Sequence, residues 1–290
     1  MPQLREQKER IEDIESARYI TGALRDIAAI RLKTLREEFN KNDSFYSELI
    51  ELYQLIWRIA NESNTGLAEE RAMKSLYVAY TTNRHFYGSI NSNVIRELVG
   101  GTNAQDSCLI LGDTGKQLWM SRAQKRKELS FMSFQDDMPT PKEIDKFLEK
   151  TQQYEHVYVF HPGFASVFRQ DVKMVDITFR PAEEDTKKES EELEDLPQYL
   201  FEPDLWEMAT FFNNQVRYTL FERMLLETQL SQISARLVKM DTADQNATEL
   251  VKVEQQELRR AFTSFSSRRM LETLVGYIQW HNRKAQLIAQ

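Results

Sequence analysis

The residues that could carry chemistry are few, and their spacing does not match a nucleotide site. The segment most like a phosphate-binding loop is Gly112-Asp113-Thr114-Gly115-Lys116. It is two residues shorter than the phosphate loop of nucleotide hydrolases, and Gln117 follows its lysine where that loop has a hydroxyl residue. The stretch from Thr81 to Ser89 has one glycine, Gly88, where a dinucleotide fingerprint needs three. We therefore predict that Gly112–Lys116 is a tight turn between two strands.

Histidines, carboxylates and the single cysteine also fail to form a recognisable centre. The four histidines lie in separate segments without a second ligand at metal spacing: His85, His156, His161 and His281. Carboxylates are scattered over charged helix faces, and no pair stands out as acid and base, nor any nucleophile beside a base. Cys108 cannot form an internal disulfide and is expected to be a buried, inert thiol. We expect no catalytic residue, no metal and no cofactor.

Composition favours long, solvated helices. The chain has 290 residues, 41% of them hydrophobic and 29% charged, with only 9 glycines and 7 prolines. A net charge of −7 argues against a nucleic-acid binder. No run approaches the ~20 apolar residues of a membrane span, and the acidic N-terminal region resembles neither a signal peptide nor a transit peptide. We expect a cytoplasmic protein without a transmembrane segment that can attach to membrane proteins.

The C-terminal region, 204–290, is predicted to be one very long helix. It contains no proline and one glycine, Gly276. At about 1.5 Å per residue, an unbroken helix of this length would extend on the order of 120–130 Å. Asp204 follows Pro203 and can cap the helix with Glu207. Apolar residues recur at three-then-four spacing: Leu226, Leu230, Ile233, Leu237, Met240, Leu250, Leu258, Phe262, Phe265, Met270, Leu274 and Ile278.

A second long helix is predicted for the N-terminal region, residues 3 to about 60. We expect a bend or break at Asn40–Ser44, and the small pair Ala28-Ala29 would let another helix approach closely. Two long helices at opposite ends of a chain indicate an antiparallel coiled coil in which each covers the apolar stripe of the other. The apolar seam of this region is Leu4, Ile11, Ile14, Ile20, Leu24, Ile27, Leu35 and Phe39.

Between the two helices the period changes to that of strands, which indicates a small Rossmann-like α/β domain with a largely parallel sheet. The predicted strands are Ser75–Tyr80, Cys108–Leu111, His156–Phe160 and Met174–Phe179, and the predicted helices are Ser92–Leu98 and Thr140–Lys150. The resulting domains are residues 1–65 (N-terminal helix), 66–182 (α/β domain), 183–203 (acidic linker and a foot motif) and 204–290 (C-terminal helix).

Four segments, in this order along the chain, are similar to signature regions of the gamma subunit of F-type ATP synthases. They are Leu4-Arg5-Glu6 with Arg10-Ile11, Ile14, Ile20-Thr21 and Ala28-Ala29; Gly88 with Asn91-Ser92-Asn93-Val94; Tyr199-Leu200-Phe201-Glu202-Pro203-Asp204; and Ala235–Met240 with Ala243 and Asn246. The chain departs from the family pattern at Arg84–Tyr87 and around Phe262-Thr263-Ser264. The chain therefore resembles a divergent member of this family.

The resemblance implies a central rotor shaft with no bond chemistry of its own. Its partners would be the alpha and beta subunits of the catalytic ring, an epsilon-type subunit and the c-ring of the membrane sector. The protein would be peripheral to the cytoplasmic face of a bacterial inner membrane. ATP would be made or hydrolysed in the beta subunits, while c-ring rotation driven by ion flow turns the shaft.

The resemblance also implies roles for particular residues. Tyr199 and Glu202 match family positions that face the c-ring. The apolar residues of the shaft tip would sit in the bearing of the catalytic ring, and several N-terminal arginines could meet acidic beta-subunit loops. The tip residues are Leu271, Leu274, Val275, Tyr277 and Ile278, and the arginines are Arg5, Arg10, Arg18 and Arg25.

Two other readings of the residues stay open. An elongated coiled-coil tethering protein with an α/β head would show the same periodicities, and it would pair with a second copy of itself instead of pairing its own two ends. A small-molecule enzyme would use the α/β domain, and it would require that domain to bind a nucleotide.

Overall fold

The computed structural model describes residues 2–62, 72–83, 87–122, 128–136, 138–178, 202 and 204–288. These residues form five helices and five strands. The helices are α1 (Pro2–Glu62), α2 (Ile90–Gly101), α3 (Asp113–Arg122), α4 (Pro141–Thr151) and α5 (Leu205–Ile288). The strands are β1 (Ala72–Tyr80), β2 (Ser107–Leu111), β3 (Leu129–Met132), β4 (Tyr154–Phe164) and β5 (Gln170–Asp176).

The five strands form one sheet in the order β3-β2-β1-β4-β5. All neighbours are parallel except β4 and β5, which are antiparallel. Val78 in the central strand is paired with Leu109 of β2 on one side and Val159 of β4 on the other. The largely parallel sheet predicted from the sequence is confirmed, although its last strand ends at Asp176, before the predicted end at Phe179.

The sheet carries helices on both faces. Phe221 and Leu225 of α5 pack with Val78 and Val159 on one face, and Phe221 stacks on Phe147 of α4 with ring centroids 4.6 Å apart. The other face is covered by α2 and α3. Their buried side chains there are Val94, Ile95, Leu98 and Trp119.

Sequence analysis missed α3 and β3, and the turn predicted for Gly112–Lys116 is wrong. Asp113 begins a ten-residue helix instead, and β3 follows that helix as a parallel edge strand. Neither element has a clear hydrophobic period in the sequence. In α3 one large side chain is buried, Trp119 at 4% exposure, and β3 has only four residues, all half-buried.

The chain divides into two compact units, Ile27–Lys239 and Met1–Asp26 with Met240–Gln290. In the first, the segments of α1 and α5 run antiparallel: Arg223 bonds Asp43 at 2.6 Å, while Tyr53, later in α1, bonds Asn213, earlier in α5. The small side chain predicted at Ala28 is 2% exposed and lets the helices approach. The apolar cluster around it contains Leu35 of α1 and three residues of α5: Leu226, Leu230 and Ile233.

The predicted break at Asn40–Ser44 is wrong, because α1 runs through it without interruption. Short polar side chains disfavour a helix when they bond their own backbone outside it. Here two of these polar side chains bond residues of α5 instead: Asn42 donates to Glu222, and Asp43 accepts from Arg223. The hydroxyl of Ser44 donates to the carbonyl of Asn40, which is compatible with a continuing helix.

In the second compact unit, the first residues of α1 also run antiparallel to the distal part of α5. Arg25 bonds Asp244 at 2.9 Å, and Leu4 lines a groove together with Leu258. Ile11 and Val251 are buried. Two residues of the predicted α1 seam, Ile20 and Ile27, are instead 62% and 60% exposed. The domain boundaries drawn from the sequence remain predictions.

Candidate functional site

In an α/β sheet of this kind ligands bind at the carboxyl ends of the strands, and a phosphate would bind at the N-terminus of the helix that follows β2. Here the first amides of α3 are bonded to the chain that follows β1. The amide of Asp113 donates to Asn83 Oδ1 at 3.0 Å, and the amide of Gly115 donates to Thr81 Oγ1 at 3.0 Å. The amide of Thr114 donates to the carbonyl of Thr82 at 3.2 Å. The donors that would cradle a phosphate at a helix N-terminus are thus already used.

The two glycines of this segment serve close packing. Gly112 has a φ of +96°, and a Cβ there would lie 2.3 Å from the carbonyl oxygen of Thr81. A Cβ on Gly115 would lie 2.3 Å from the hydroxyl oxygen of the same threonine. The two glycines therefore allow the backbone to lie close to Thr81, the first residue after β1.

The histidines have structural surroundings. His161 is fully buried, with Nδ1 3.1 Å from Thr228 Oγ1, and burial lowers its pKa to about 4. His156 Nδ1 lies 2.8 Å from Asp176. His85 and the side chain of His281 lie outside the described residues. Within the described ranges, no three histidine, cysteine or acidic side chains come together as metal ligands would.

Three of the four predicted contact arginines lie on the exposed first part of α1. Arg5 pairs with Glu9 and Arg10 with Glu6, at 2.9 and 3.0 Å, one helical turn apart in each case. The guanidinium of Arg18 lies 5.5 Å from the centre of the neighbouring Tyr19 ring. Exposed pairs of this kind contribute little to stability, so these side chains can exchange their partners at small free-energy change.

Arg25 differs from the other three because its partners lie on α5. It lies 2.9 Å from Asp244 and 3.8 Å from Asp241, and it also bonds Asp26. The hydrogen bond to Asp26 and the charges of these aspartates raise the pKa of Arg25. Arg25 therefore links the two helices within this unit, in addition to any contact it makes with a partner.

A broad groove lies between the start of α1 and the distal part of α5, with a volume of about 950 Å³. Leu4, Leu258, Phe262 and Phe265 supply its apolar surface. Among the residues that line it, four are basic and none is acidic: Arg5, Lys8, Arg259 and Arg269. Sequence analysis found Arg5 and missed the other three, because the charges of the two helices meet only through the antiparallel pairing.

The tip of α5, which we define as residues 270–280, is exposed on every side. Its large apolar side chains are between 48% and 67% exposed. The tip residues predicted from the sequence are all among them: Leu271, Leu274, Val275, Tyr277 and Ile278.

Of the two residues predicted to face the c-ring, the structure describes one. Tyr199 lies outside the described residues, and Glu202 is exposed just before α5 begins at Leu205. None of the helices in the described part of the chain has the length and apolar character needed to cross a bilayer.

Comparison with known proteins agrees with this architecture. A family model described as ATP synthase matches residues 3–261. The ATP synthase gamma chain of Geobacter metallireducens is 25% identical over 288 residues, covering 95% of this chain and 98% of the relative. The gamma chain of Clostridium novyi is 26% identical over 256 residues, covering 84% and 86%.

Solved structures share the fold. A chain of the central stalk and c-ring structure of the Tetrahymena thermophila mitochondrial ATP synthase superposes with a TM-score of 0.53 at 18% identity, covering 77% of this chain and 99% of that one. A chain of the Euglena gracilis mitochondrial ATP synthase gives 0.51 at 16% identity, covering 91% and 96%. The family match includes the sheet and most of both long helices, so this chain belongs to the gamma-subunit family of F-type ATP synthases.

Proposed function

We propose that this chain is the central rotor shaft of its ATP synthase. It turns inside a ring of alpha and beta subunits, is driven by the c-ring, and performs no bond chemistry itself. Its curated relatives carry the name ATP synthase gamma chain, and the Tetrahymena structure is described as a central stalk with a c-ring. The start of α3 is compatible with a mechanical role, because its first amides are bonded to Asn83, Thr81 and Thr82 and are not left for a phosphate.

The observation that carries this proposal is the exposed apolar tip. Large contiguous apolar surfaces on a folded chain mark contacts with other proteins. Leu271, Leu274, Val275 and Ile278 would bury their side chains against the inner surface of the catalytic ring, where a bearing needs apolar contact without fixed hydrogen bonds. Such contact is non-directional and so can be kept while the shaft turns.

Torque transmission follows from the asymmetry of a self-paired shaft. Each of its orientations presents a different side to each beta subunit, and it favours whichever nucleotide-binding conformation fits that side. Arg5, Arg10 and Arg18 are suited to exchanging partners during rotation, because their present partners are exposed carboxylates or a ring on the same helix. Arg25 would meet an acidic beta-subunit loop only by sharing its bonds to Asp244.

The other end of the shaft would stand on the membrane sector. Tyr199 and Glu202 would face the c-ring, and an epsilon-type subunit would bind beside the α/β domain. The protein would then be peripheral to the cytoplasmic face of a bacterial inner membrane. The exposed position of Glu202 is compatible with a contact there.

The test is a tip variant in the reconstituted complex, in which Leu271, Leu274, Val275 and Ile278 are all changed to serine. Each loses apolar contact worth about 25 cal/mol per Å² buried, so together they would weaken the bearing by several kcal/mol. We expect ATP-driven ion pumping per ATP hydrolysed to fall, while the circular dichroism of the free chain stays that of the wild type.

The control changes three exposed polar residues of the same tip to serine: Glu272, Thr273 and Gln279. It should pump as the wild type does. Undiminished ion pumping by the variant that lacks the four apolar side chains would contradict the bearing. An equal loss of pumping in this variant and in the control would contradict it as well.

A further inference from the structure

The hairpin formed by β4 and β5 is bonded directly to α5. Glu227 of α5 is 7% exposed, and its Oε1 accepts hydrogen bonds from the amide of Phe164 at 3.0 Å and from Lys173 Nζ at 2.5 Å. At the next residue of α5, Thr228 Oγ1 lies 3.1 Å from His161 Nδ1. Both strands of the hairpin are thus bonded to one turn of the helix, β4 through His161 and Phe164 and β5 through Lys173.

The hairpin leaves room for Lys173 to reach α5. Lys173 is paired with His161, so its side chain stands on the same face of the sheet as the histidine that contacts α5. Gly163 lies two residues further along β4 and therefore belongs to that face as well. A Cβ on Gly163 would lie 2.5 Å from Lys173 Cγ. The glycine therefore keeps the path of the lysine side chain open.

These bonds differ in kind from the apolar contacts between α5 and the sheet. Phe221 and Leu225 of α5 pack with Val159 of β4. Because such contact is non-directional, it holds two surfaces together but fixes their rotation and shift only weakly. Hydrogen bonds need a short distance and a narrow angle, and those to a charged acceptor are about twice as strong as neutral ones. The bonds to Glu227 therefore set the register between α5 and the hairpin.

The burial of Glu227 makes this register costly to leave. Its side chain is 9% exposed, whereas that of Lys173 is 51% exposed. A buried carboxylate is tolerated when it is paired and hydrogen-bonded, and separating it from its partner leaves an uncompensated charge. If α5 slid or turned against the hairpin, Glu227 would lose the ammonium and the amide together, so the free-energy cost of slippage is concentrated at this residue.

We propose that Glu227 and Lys173 form a lock that fixes the α/β domain to the part of α5 that packs on it. Glu227 is a positioning residue, because it holds the sheet and the helix in one register. Within a rotor shaft, force applied to the α/β domain would then reach α5 without slip between them. This coupling role rests on the proposed function, whereas the lock itself is a property of the free chain.

Hydrogen exchange of the free, full-length chain, followed by mass spectrometry, tests the lock. Glu227→Gln and Lys173→Met should each speed the exchange of the hairpin amides, residues 163–174, at least about tenfold, because each removes one charge of the pair. Amides of β2 should keep their wild-type rates, which distinguishes local opening from general destabilisation. The double variant should exchange no faster than the faster single variant, since both changes remove one interaction.

The matched control is Arg169→Gln. It breaks an exposed ion pair within the same hairpin, between Arg169 and Asp171 at 2.9 Å, and such pairs contribute little to stability. The control should exchange as the wild type does. Wild-type exchange in Lys173→Met, an equal increase in the control, or additive increases in the double variant would each overturn the lock.

The coupling role is measured in the reconstituted complex as the number of ions pumped per ATP hydrolysed. Lys173→Met should lower this ratio, and Lys173→Arg, which keeps the cation, should preserve most of it. ATP hydrolysis should fall less than pumping, whereas a chain that merely failed to fold would lose both. An unchanged ratio in Lys173→Met would overturn the coupling role. If the tip variant still pumped poorly, that result would leave the shaft proposal standing.

Discussion

Two stretches of α5 invert the usual relation between polarity and burial. Residues 224–235, the middle segment, are all buried, although six of the twelve are polar or charged. Residues 270–280, the tip, are all exposed, although seven of the eleven are large and apolar. The middle segment is enclosed by α1 and the sheet, which supply partners such as Thr228 with His161 and Glu227 with Lys173. The apolar tip has no comparable cover among the described residues.

The comparison indicates that the middle segment is adapted to the fold of this chain, whereas the tip is adapted to contact with another protein. A buried polar group is tolerated when the fold provides its hydrogen bonds, as it does for Glu227, Thr228 and Ser234, so this part of the middle segment is specified by the chain alone. An exposed apolar group is tolerated when another protein covers it, so the tip is specified by the complex. The three predictions that follow compare the segments in the isolated chain.

The largest effect should come from truncating one leucine in each segment. Leu230 is 1% exposed, so Leu230→Ala should lower the free energy of unfolding by about 2–5 kcal/mol through lost contacts and a residual cavity. Leu274 is 48% exposed, and Leu274→Ala should change the free energy of unfolding by less than about 0.5 kcal/mol. Urea denaturation of the free chain measures both. Equal losses would show that the tip is covered within the chain.

A smaller effect concerns the polar contacts of the middle segment. Burial lowers the pKa of His161, next to Thr228, from 6.5 to about 4. The unfolded chain therefore binds a proton first as the pH falls, so this residue leaves stability unaffected above pH 6.5 and lowers it between 6.5 and about 4. The loss is about 1.4 kcal/mol per pH unit, or about 2–3 kcal/mol from pH 6.5 to 4.5.

The check is the free energy of unfolding at several pH values for the wild type and for His161→Gln, which cannot titrate. The variant should be less stable at neutral pH, and its stability should fall less steeply on acidification. Parallel curves for the two proteins would contradict the assignment of this pH dependence to His161.

The smallest effect probes the space around the tip. A Cβ added to Gly276 would meet no atom of the described residues within 4 Å. Gly276→Ala should therefore favour the helix by about 0.5–1 kcal/mol through reduced backbone entropy of the unfolded chain. Helicity measured by circular dichroism during thermal melting should rise slightly. A decrease would mean that the position is packed against another part of the chain.

Sequence patterns predicted the main elements well where one face of an element is apolar over many residues. Both long helices, the parallel sheet and the helix over Thr140–Lys150 were recognised from their periods. The prediction failed at α3, whose one well-buried large side chain gives no period, and at Asn40–Ser44, where tertiary bonds to Glu222 and Arg223 stabilise a helix that local propensity disfavours.

The candidate site was predictable only in part, because spacing along the sequence shows which residues share a helix face but not which helices meet. The roles of the five tip residues follow from the family resemblance, and of these residues only Leu274 and Ile278 also lie on the apolar seam predicted from helical spacing. The basic groove, with Lys8 and Arg269 on different helices, depends on the antiparallel register of those helices. Residues far apart in sequence carry no local signal of such proximity.

The sequence by itself determined the two long helices, the α/β domain between them and the family, because these depend on periodic burial and on local motifs. Only the tertiary structure decided that the glycines at 112 and 115 fit against Thr81, leaving no phosphate site there, and that four basic residues of the two long helices line one groove. The physical reason is that periodic patterns record which side of an element is covered. They do not record which atoms cover it or what space is left between them.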